Sequence, residues 1–517
     1  MLIRAALCAV AAISVAAPGV CSASAKTAAA PTRAQRETTT APASTAPATT
    51  RPTTSALATT QAASQPAGKP KAPPPYLYTR FEEDYRWLDS PPGTYATDFT
   101  DALKNVHLGE NWRLSIGGEM RLRWEYEKNK TLLRQKASQD KFLLERYWLW
   151  GDLRLRDDLR FFVEGETEYE EGVDLYPTAS NIENRTDLKQ LFGDFRLVSG
   201  AQPLTLRLGR QELTYGNRRI LSSGNFSNLR RRFDAVKLMW RPAPWDVDVF
   251  WGRPLDTSYA LGRDKAHDRN DEDTDLFGVY STFHGIPKHT LDAYIVAFTN
   301  NRPPRNANGV GVQQQIYTIG GRFEGKQSEW DYEVESALQT GEWGDDQVAA
   351  WFLTTVLGHT FEKAPMTPRL WTSFEYASGD RNPVDHKHES FNRVFPSGHS
   401  FFGAADLVGR SNIIDPQVGV TLKPLKNVTF FAEHHLFYLA REKDALYAVS
   451  GSPTRRDRTG DAGRYVGHEI DLKVQYALDR HSAFEAGYSH FEGGSFLQKT
   501  GPERAVEFVY VQYTLKF

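Results

Sequence analysis

From Trp112 to the C-terminus the chain alternates. Trp112, Leu114, Ile116, Met120, Leu122, Trp124 and Tyr126 are interleaved with Arg113, Ser115, Glu119, Arg121, Arg123 and Glu125. Side chains on a strand switch faces with a period of two, so this stretch predicts a strand with one apolar and one polar face. The next segment sets Tyr147, Leu149, Leu153 and Leu155 against Arg146, Asp152, Arg154 and Arg156. A third sets Phe161, Val163 and Tyr169 against Arg160, Glu164, Glu166 and Glu168. The last, Ala505 to Phe517, carries Val509, Val511, Tyr513, Leu515 and Phe517 on one face and Tyr510, Gln512, Thr514 and Lys516 on the other.

About 18 such segments follow one another, and their connections alternate in length. Long polar connections run from Glu127 to Gln139, Glu171 to Arg185, Gly216 to Arg230, Arg253 to Thr274, Ser378 to Ser411 and Arg441 to Gly463. Between them come short turns at Asp157-Asp158, Ser199 to Pro203, Arg241 to Pro244, Gly285 to Lys288, Gly325 to Gln327, Lys423 to Lys426 and Asp479-Arg480. Strict alternation places every long loop at one end of the molecule. That is the plan of an outer-membrane barrel, with long outer loops, short periplasmic turns and an even strand number. The predicted fold is therefore all-β: a transmembrane antiparallel β-barrel of about 18 strands, whose last strand seals against the first.

Composition agrees with this and narrows the compartment. Mean hydropathy is -0.52, and past the first 25 residues no apolar run is long enough for a spanning helix. Residues 1–25 read as a secretory signal, with Arg4, an apolar stretch from Ala5 to Ala17, and Ala23-Ser24-Ala25 as the cleavage site. Cys8 and Cys21 both lie in it, so the mature chain is expected to carry no cysteine. Pro18-Gly19-Val20 is a poor lead-in for lipid attachment at Cys21. Residues 26–75 are rich in Ala, Thr, Pro and Ser and are expected to be a disordered linker, a spacer or a tether to the cell wall. Residues 76–110 form an aromatic, acidic periplasmic segment, and 111–517 the barrel. A net charge of -2 gives no reason to expect nucleic acid as a partner.

If the apolar face meets lipid, the polar face lines the pore, because charge is costly against lipid and tolerated in a wet lumen. Basic residues gather on that face in the first third: Arg121, Arg123, Arg146, Arg154, Arg156, Arg196, Arg207 and Arg210, then Arg231, Arg232 and Lys237. A track of Arg and Lys selects for anions. Acidic rows at Glu164, Glu166, Glu168 and at Asp331, Glu333, Glu335 run against it, and their bland role is to pair with the arginines and hold the barrel in shape.

Several ordered motifs also resemble the alginate export family of outer-membrane porins. They are R-F-E-E-D-Y-R-W-L-D from Arg80, S-I-G-G-E-M-R-L-R-W-E-Y from Ser115, and L-G-R-Q-E-L-T-Y-G-N-R-R-I from Leu208, followed by R-R-F-D-A-V-K-L from Arg231. Y-A-S-G-D from Tyr376, F-P-S-G-H-S-F-F-G-A-A-D-L-V-G-R-S-N from Phe395, V-G-H-E-I-D-L from Val466 and E-A-G-Y-S-H-F from Glu485 complete the set. The resemblance implies a monomeric 18-stranded barrel whose electropositive constriction passes an anionic uronate polymer. It also places Arg121, Arg123, Arg210, Arg231 and Arg232 in motifs of the lumenal wall. The Ala/Thr/Pro-rich linker is not part of the family pattern, and the acidic rows make the lumen more mixed than a dedicated polyuronate channel needs.

Three readings follow: a channel for an alginate-like polysaccharide, a general or small-anion porin on the same barrel, and a tethering barrel that uses the Pro-rich arm. Expected partners are outer-membrane lipid, an anionic polysaccharide, and periplasmic export partners or the cell wall. No cofactor or metal is expected. Asp271, Asp273 and Asp275 lack the glycine and distal glutamate of a calcium loop, and His386, His388, His399, His434 and His435 lack zinc spacing. Adjacent Ser397 and His399 do not supply nucleophile-to-base geometry, and the short turn at Asp479-Arg480 leaves little room for a periplasmic plug.

Overall fold

The computed structural model describes residues 70–130, 137–174, 184–257, 268–301, 312–382 and 384–517. The predicted leader and residues 26–69 of the linker lie outside the described residues, as do parts of five outer loops, Asp264 among them.

Eighteen antiparallel strands form the wall. They are β1 Trp112–Lys128, β2 Gln139–Leu155, β3 Leu159–Glu171, β4 Asn184–Val198, β5 Leu204–Gln211 and β6 Phe233–Trp240. Next come β7 Trp245–Asp256, β8 Thr274–Phe283, β9 His289–Asn300, β10 Gln314–Gln327, β11 Trp330–Trp343 and β12 Asp346–Thr360. The last six are β13 Arg369–Ala377, β14 Ile413–Leu425, β15 Val428–Leu439, β16 Tyr465–Ala477, β17 Ser482–Gly493 and β18 Val506–Lys516. Each pairs with its neighbours in sequence, and β18 pairs with β1 from Glu119↔Lys516 to Lys128↔Glu507. Reciprocal bonds between Gly118 and Phe517 extend the seal to the last residue. Closure removes the unpaired edge that lipid would penalise.

Burial is inverted relative to a water-soluble protein. Leu149 is 60% exposed and Leu338 65%, whereas Arg121 and Arg146 are buried. Exposed Trp124, Trp251 and Trp351 lie toward the outer strand ends, and exposed Trp240, Trp245 and Trp330 toward the periplasmic ends. These are the two aromatic girdles of a membrane barrel. Among the described residues no helix is long and apolar enough to cross a membrane.

The alternation of connections holds with two exceptions. The outer turn between β11 and β12 is only Gly344-Asp345, and the periplasmic connection Phe361–Pro368 is longer than its neighbours. Ladder pairing also continues through Gly325–Gln327, which moves that turn to Ser328-Glu329.

The segment before the barrel has short 3-10 turns at Arg80–Glu82, Arg86–Asp89 and Asp101–Leu103. Phe81 and Tyr85 are buried against the inward-facing Trp150, Phe162 and Phe192. This segment therefore plugs the periplasmic half, contrary to the expectation drawn from the short terminal turn. A plug that enters from the N-terminal side needs no long turn, and the turn itself holds it: Arg480 reaches Asp98 at 2.8 Å, as does His481. At the outer half, Leu221, Phe391, Phe402 and Leu407 come from inward-folded loops and pack on Phe233, Phe352 and Phe437 of the wall.

Candidate functional site: the lumenal belt and its strap

One ladder row crosses the inner face of β1 to β6. It runs Arg113, Arg154, Arg160, Asp194, Arg207 and Lys237, each the Cα partner of the next. Directly opposed side chains share a face, so five cations and one carboxylate form a continuous belt. Local alternation puts each of them inward; the register alone puts them at one level. Asp152 binds Arg154 and Arg160, both at 2.7 Å, and Asp194 binds Arg207 at 2.6 Å. Asp248 holds Lys237 at 3.4 Å and Arg241 at 2.5 Å. A cavity of about 390 Å³ opens beside the belt, lined by Arg160, Arg207, Lys237, Arg241, Tyr215 and Tyr280. Phe81 of the N-terminal segment lies at its edge, with the Arg207 guanidinium 4.6 Å from the ring centre.

Residues 212–232, between β5 and β6, fold inward as a strap across the lumen. On one side Arg121 donates to the carbonyls of Asn225 (2.6 Å) and Ser227 (3.0 Å), Arg146 to that of Asn225 (3.2 Å), and Arg123 to that of Phe226. On the other side Arg219 enters a nest of acids on β11 and β13: Glu333 at 2.5 Å, Glu335 at 3.0 Å and Glu375 at 3.5 Å. The loop 378–412 joins the strap through paired backbone bonds of Ser222 and Ile220 with Phe395. Its Arg410 caps Glu375 at 2.5 Å. Below, Arg230 lies over the ring of Tyr78 and donates to its carbonyl at 2.9 Å, which ties the strap to the N-terminal segment.

The strap and this loop also hold three guanidiniums with no carboxylate partner among the described residues: Arg218, which lies over the Tyr78 ring, Arg231 and Arg393. Arg231 donates to the carbonyls of Ser222 (2.7 Å) and Phe395 (3.1 Å), and burial pulls it down to about 10. Burial and the like charge of Arg231 pull Arg393 down to about 9.

The sequence matches the model for alginate export over residues 112–511. The chain belongs to the alginate export family. The match begins with β1 and covers nearly the whole wall. A comparison with curated protein sequences gives no match. Among solved structures, OccK8 (OprE) of Pseudomonas aeruginosa aligns with 78% of this chain and 98% of its own, at TM-score 0.52 and 10% identity. OpdQ of the same organism covers 78% and 97% at TM-score 0.51 and 10% identity. OccAB2 of Acinetobacter baumannii covers 78% and 98% at TM-score 0.50 and 10% identity. At such identity the likeness concerns the fold. The protein is an outer-membrane channel of the alginate export family, a transport protein and not an enzyme.

For this family member the predicted pore residues divide by position. Arg154, Arg207 and Lys237 stand in the belt. Arg121, Arg123 and Arg146 hold the strap, and Arg231 lies within it. Arg232 is buried against Glu166 (2.5 Å) and Asp268. Arg196 pairs in register with Thr205 beside a ladder irregularity near the periplasmic rim. Two expectations are corrected. Arg156 sits in the β2–β3 turn, 64% exposed and paired with Asp158 at 3.3 Å, because its left-handed backbone (φ 49°) ends the strand one residue earlier. Arg210 pairs in register with Leu191 and Asp234 and shares their outward side of the sheet. It has the parity of the exposed Leu208 and the opposite parity to the inward Arg207, so regular alternation along β5 sets it there.

Arg113, Arg160, Arg219, Arg241 and Arg393 were not singled out. Arg113 and Arg160 had the signal of a polar strand face, but only the register gathers them. The acidic rows do pair as structural partners. Glu164 meets Lys189 at 2.8 Å, Glu166 meets Arg232, Glu333 and Glu335 meet Arg219, and Asp331 meets Arg369 at 2.5 Å. The histidines of the outer loop diverge: His388 packs on Trp343, while His399 stacks on Phe226 and turns to Asp406 at 3.0 Å. The Ser397 hydroxyl pairs with that of Ser400.

Proposed function

We propose that this barrel is a diffusion channel for small anionic solutes, carboxylates foremost, which pass along the lumenal belt. The observation that supports this reading is the row from Arg113 to Lys237, five cations and one carboxylate in a single ladder row, with Asp152 and Asp248 beside it on the same face. Cation rows favour anions in a pore, and a guanidinium engages a carboxylate through paired hydrogen bonds. The adjoining cavity of about 390 Å³ suits a small molecule. Passage of a polysaccharide is the second reading, supported by the family to which the chain belongs. It requires the strap to release both Arg219 and the clamp of Arg121 and Arg146, since a polymer needs a continuous open path.

Planar-bilayer recordings of the full-length protein test this. Under a salt gradient the reversal potential should lie on the anion side, and a monomeric uronate should carry current. A long polyuronate should leave the anion current unchanged. Block by the polymer at concentrations where the monomer has no effect would replace this reading with the polymer one. A cation-side reversal potential would overturn both.

A further inference from the structure

The wall of β15 and β16, separated from the first belt strand by β17 and β18, carries a different group. Glu433 of β15 and Asp471 of β16 are direct cross-strand partners, and the next inward pair is His435 with Glu469. Two carboxylates placed opposite one another repel unless something positive lies between them. The ring of His435 is aimed at them. Its Nε2 is 3.5 Å from Asp471 Oδ2 and 4.0 Å from Glu433 Oε2, is buried, and has no hydrogen-bond partner. Asp471 Oδ1 is likewise buried without one.

The surroundings fix these donors. Asp415 accepts from Gln417 at 2.7 Å and from the Leu436 amide at 3.2 Å, so it is an acceptor to which His435 Nδ1–H donates at 2.9 Å. The Nε2 lone pair is then left facing two further acceptors. Phe437 stacks on the imidazole, and the Ala404 amide donates to Asp471 Oδ2 at 3.1 Å. Gly403, at φ 79°, allows that approach, since a Cβ there would stand 2.5 Å from the Glu469 carboxyl. A histidine whose far nitrogen is held by a carboxylate is the usual outer-shell arrangement of a metal ligand.

We propose that Glu433, His435 and Asp471 bind a divalent transition-metal ion of the zinc class on the lumenal wall. Bonds of about 2.0–2.2 Å in a tetrahedron separate ligand atoms by about 3.3–3.6 Å. The His435–Asp471 spacing of 3.5 Å meets this, and the 4.0 Å to Glu433, with all three atoms within 4.8 Å of one another, needs a small closure of the partly exposed Glu433 side chain. The imidazole disfavours calcium and magnesium, which prefer all-oxygen shells. Glu433 is 33% exposed and gives the ion its way in from the lumen, while His435 and Asp471 sit behind it.

The test is a titration of metal-stripped, full-length barrel in detergent with Co²⁺. One equivalent should bind with visible ligand-field absorption, and Zn²⁺ should displace it. His435→Asn and Asp471→Asn should each weaken uptake by about 100-fold or more, the scale on which metal sites respond to loss of their shells. His434→Asn, on the other face of the same strand, should leave it unchanged, and heat-dependent gel mobility reports that each variant is folded. Absence of saturable uptake by the unaltered chain, or equal uptake by His435→Asn, would overturn the site and make His435 an imidazolium that serves the acids as a plain ion pair.

Discussion

On the wall built by β1 to β6, the inward belt is Arg113, Arg154, Arg160, Asp194, Arg207 and Lys237. On β11 to β16 the inward residues include Glu333, Glu335, Glu375, Asp415, Glu433, Glu469 and Asp471, with His435 among them. The belt level of the first wall is thus rich in cations, although Glu119, Glu125, Glu164, Glu166 and Glu168 lie nearer its outer end, whereas the second wall is mainly acidic, and the loops that enter the lumen answer the two differently. Toward the acids they send guanidiniums, Arg219 and Arg410. Toward Arg121, Arg123 and Arg146 they send backbone carbonyls from Asn225, Phe226 and Ser227. An unpaired buried charge is costly, so each wall dictates what may be packed against it. The strap is consequently held by opposite chemistry at its two ends.

The strongest way to break this arrangement is Arg219→Ala. It removes the cation shared by Glu333, Glu335 and Glu375, of which Glu375 keeps Arg410 and Glu333 the more distant Arg322, and should lower stability by about 3–5 kcal/mol, the usual cost of removing one partner of a buried pair. It should also raise single-channel conductance as the strap leaves the acidic wall; unchanged conductance and unfolding temperature would mean the strap is held elsewhere. Arg207→Gln with Lys237→Gln should come next. Each lost charge should reduce anion-over-cation permeability by a factor of about 5, which corresponds to ~1 kcal/mol at contact distance in water. Reversal potentials read it directly.

Arg121→Gln with Arg123→Gln sharpens the contrast, since these residues hold carbonyls of the strap. Conductance fluctuations should grow while the reversal potential shifts less than in the belt double variant. An equal or larger shift would make them selectivity residues after all. Smallest of all should be Arg156→Gln. Its side chain lies in an exposed turn, and both selectivity and stability should stay within about 0.5 kcal/mol of the unaltered protein.

The wall was legible because lipid and water impose a period of two on every strand. Val509 to Phe517 and Trp112 to Tyr126 declare their faces without any partner. The length alternation of the connections then gives the end of the barrel each one occupies. The pairing of β18 with β1 follows from the same premise, since a spanning sheet leaves no free edge.

The contents of the lumen were not legible in this way. Arg121 and Arg207 occupy equivalent positions in the pattern, yet one clamps a loop and the other lines a cavity. The difference comes from residues 212–232, whose path across the lumen no local signal records. Glu433-His434-His435 and Glu469-Ile470-Asp471 are two ordinary strand fragments until the β15–β16 register sets Glu433 against Asp471. Local alternation therefore determined which residues face the pore, because that choice depends only on strand geometry and solvent. Register and loop insertion decided which of them meet, because those contacts join residues tens to hundreds of positions apart.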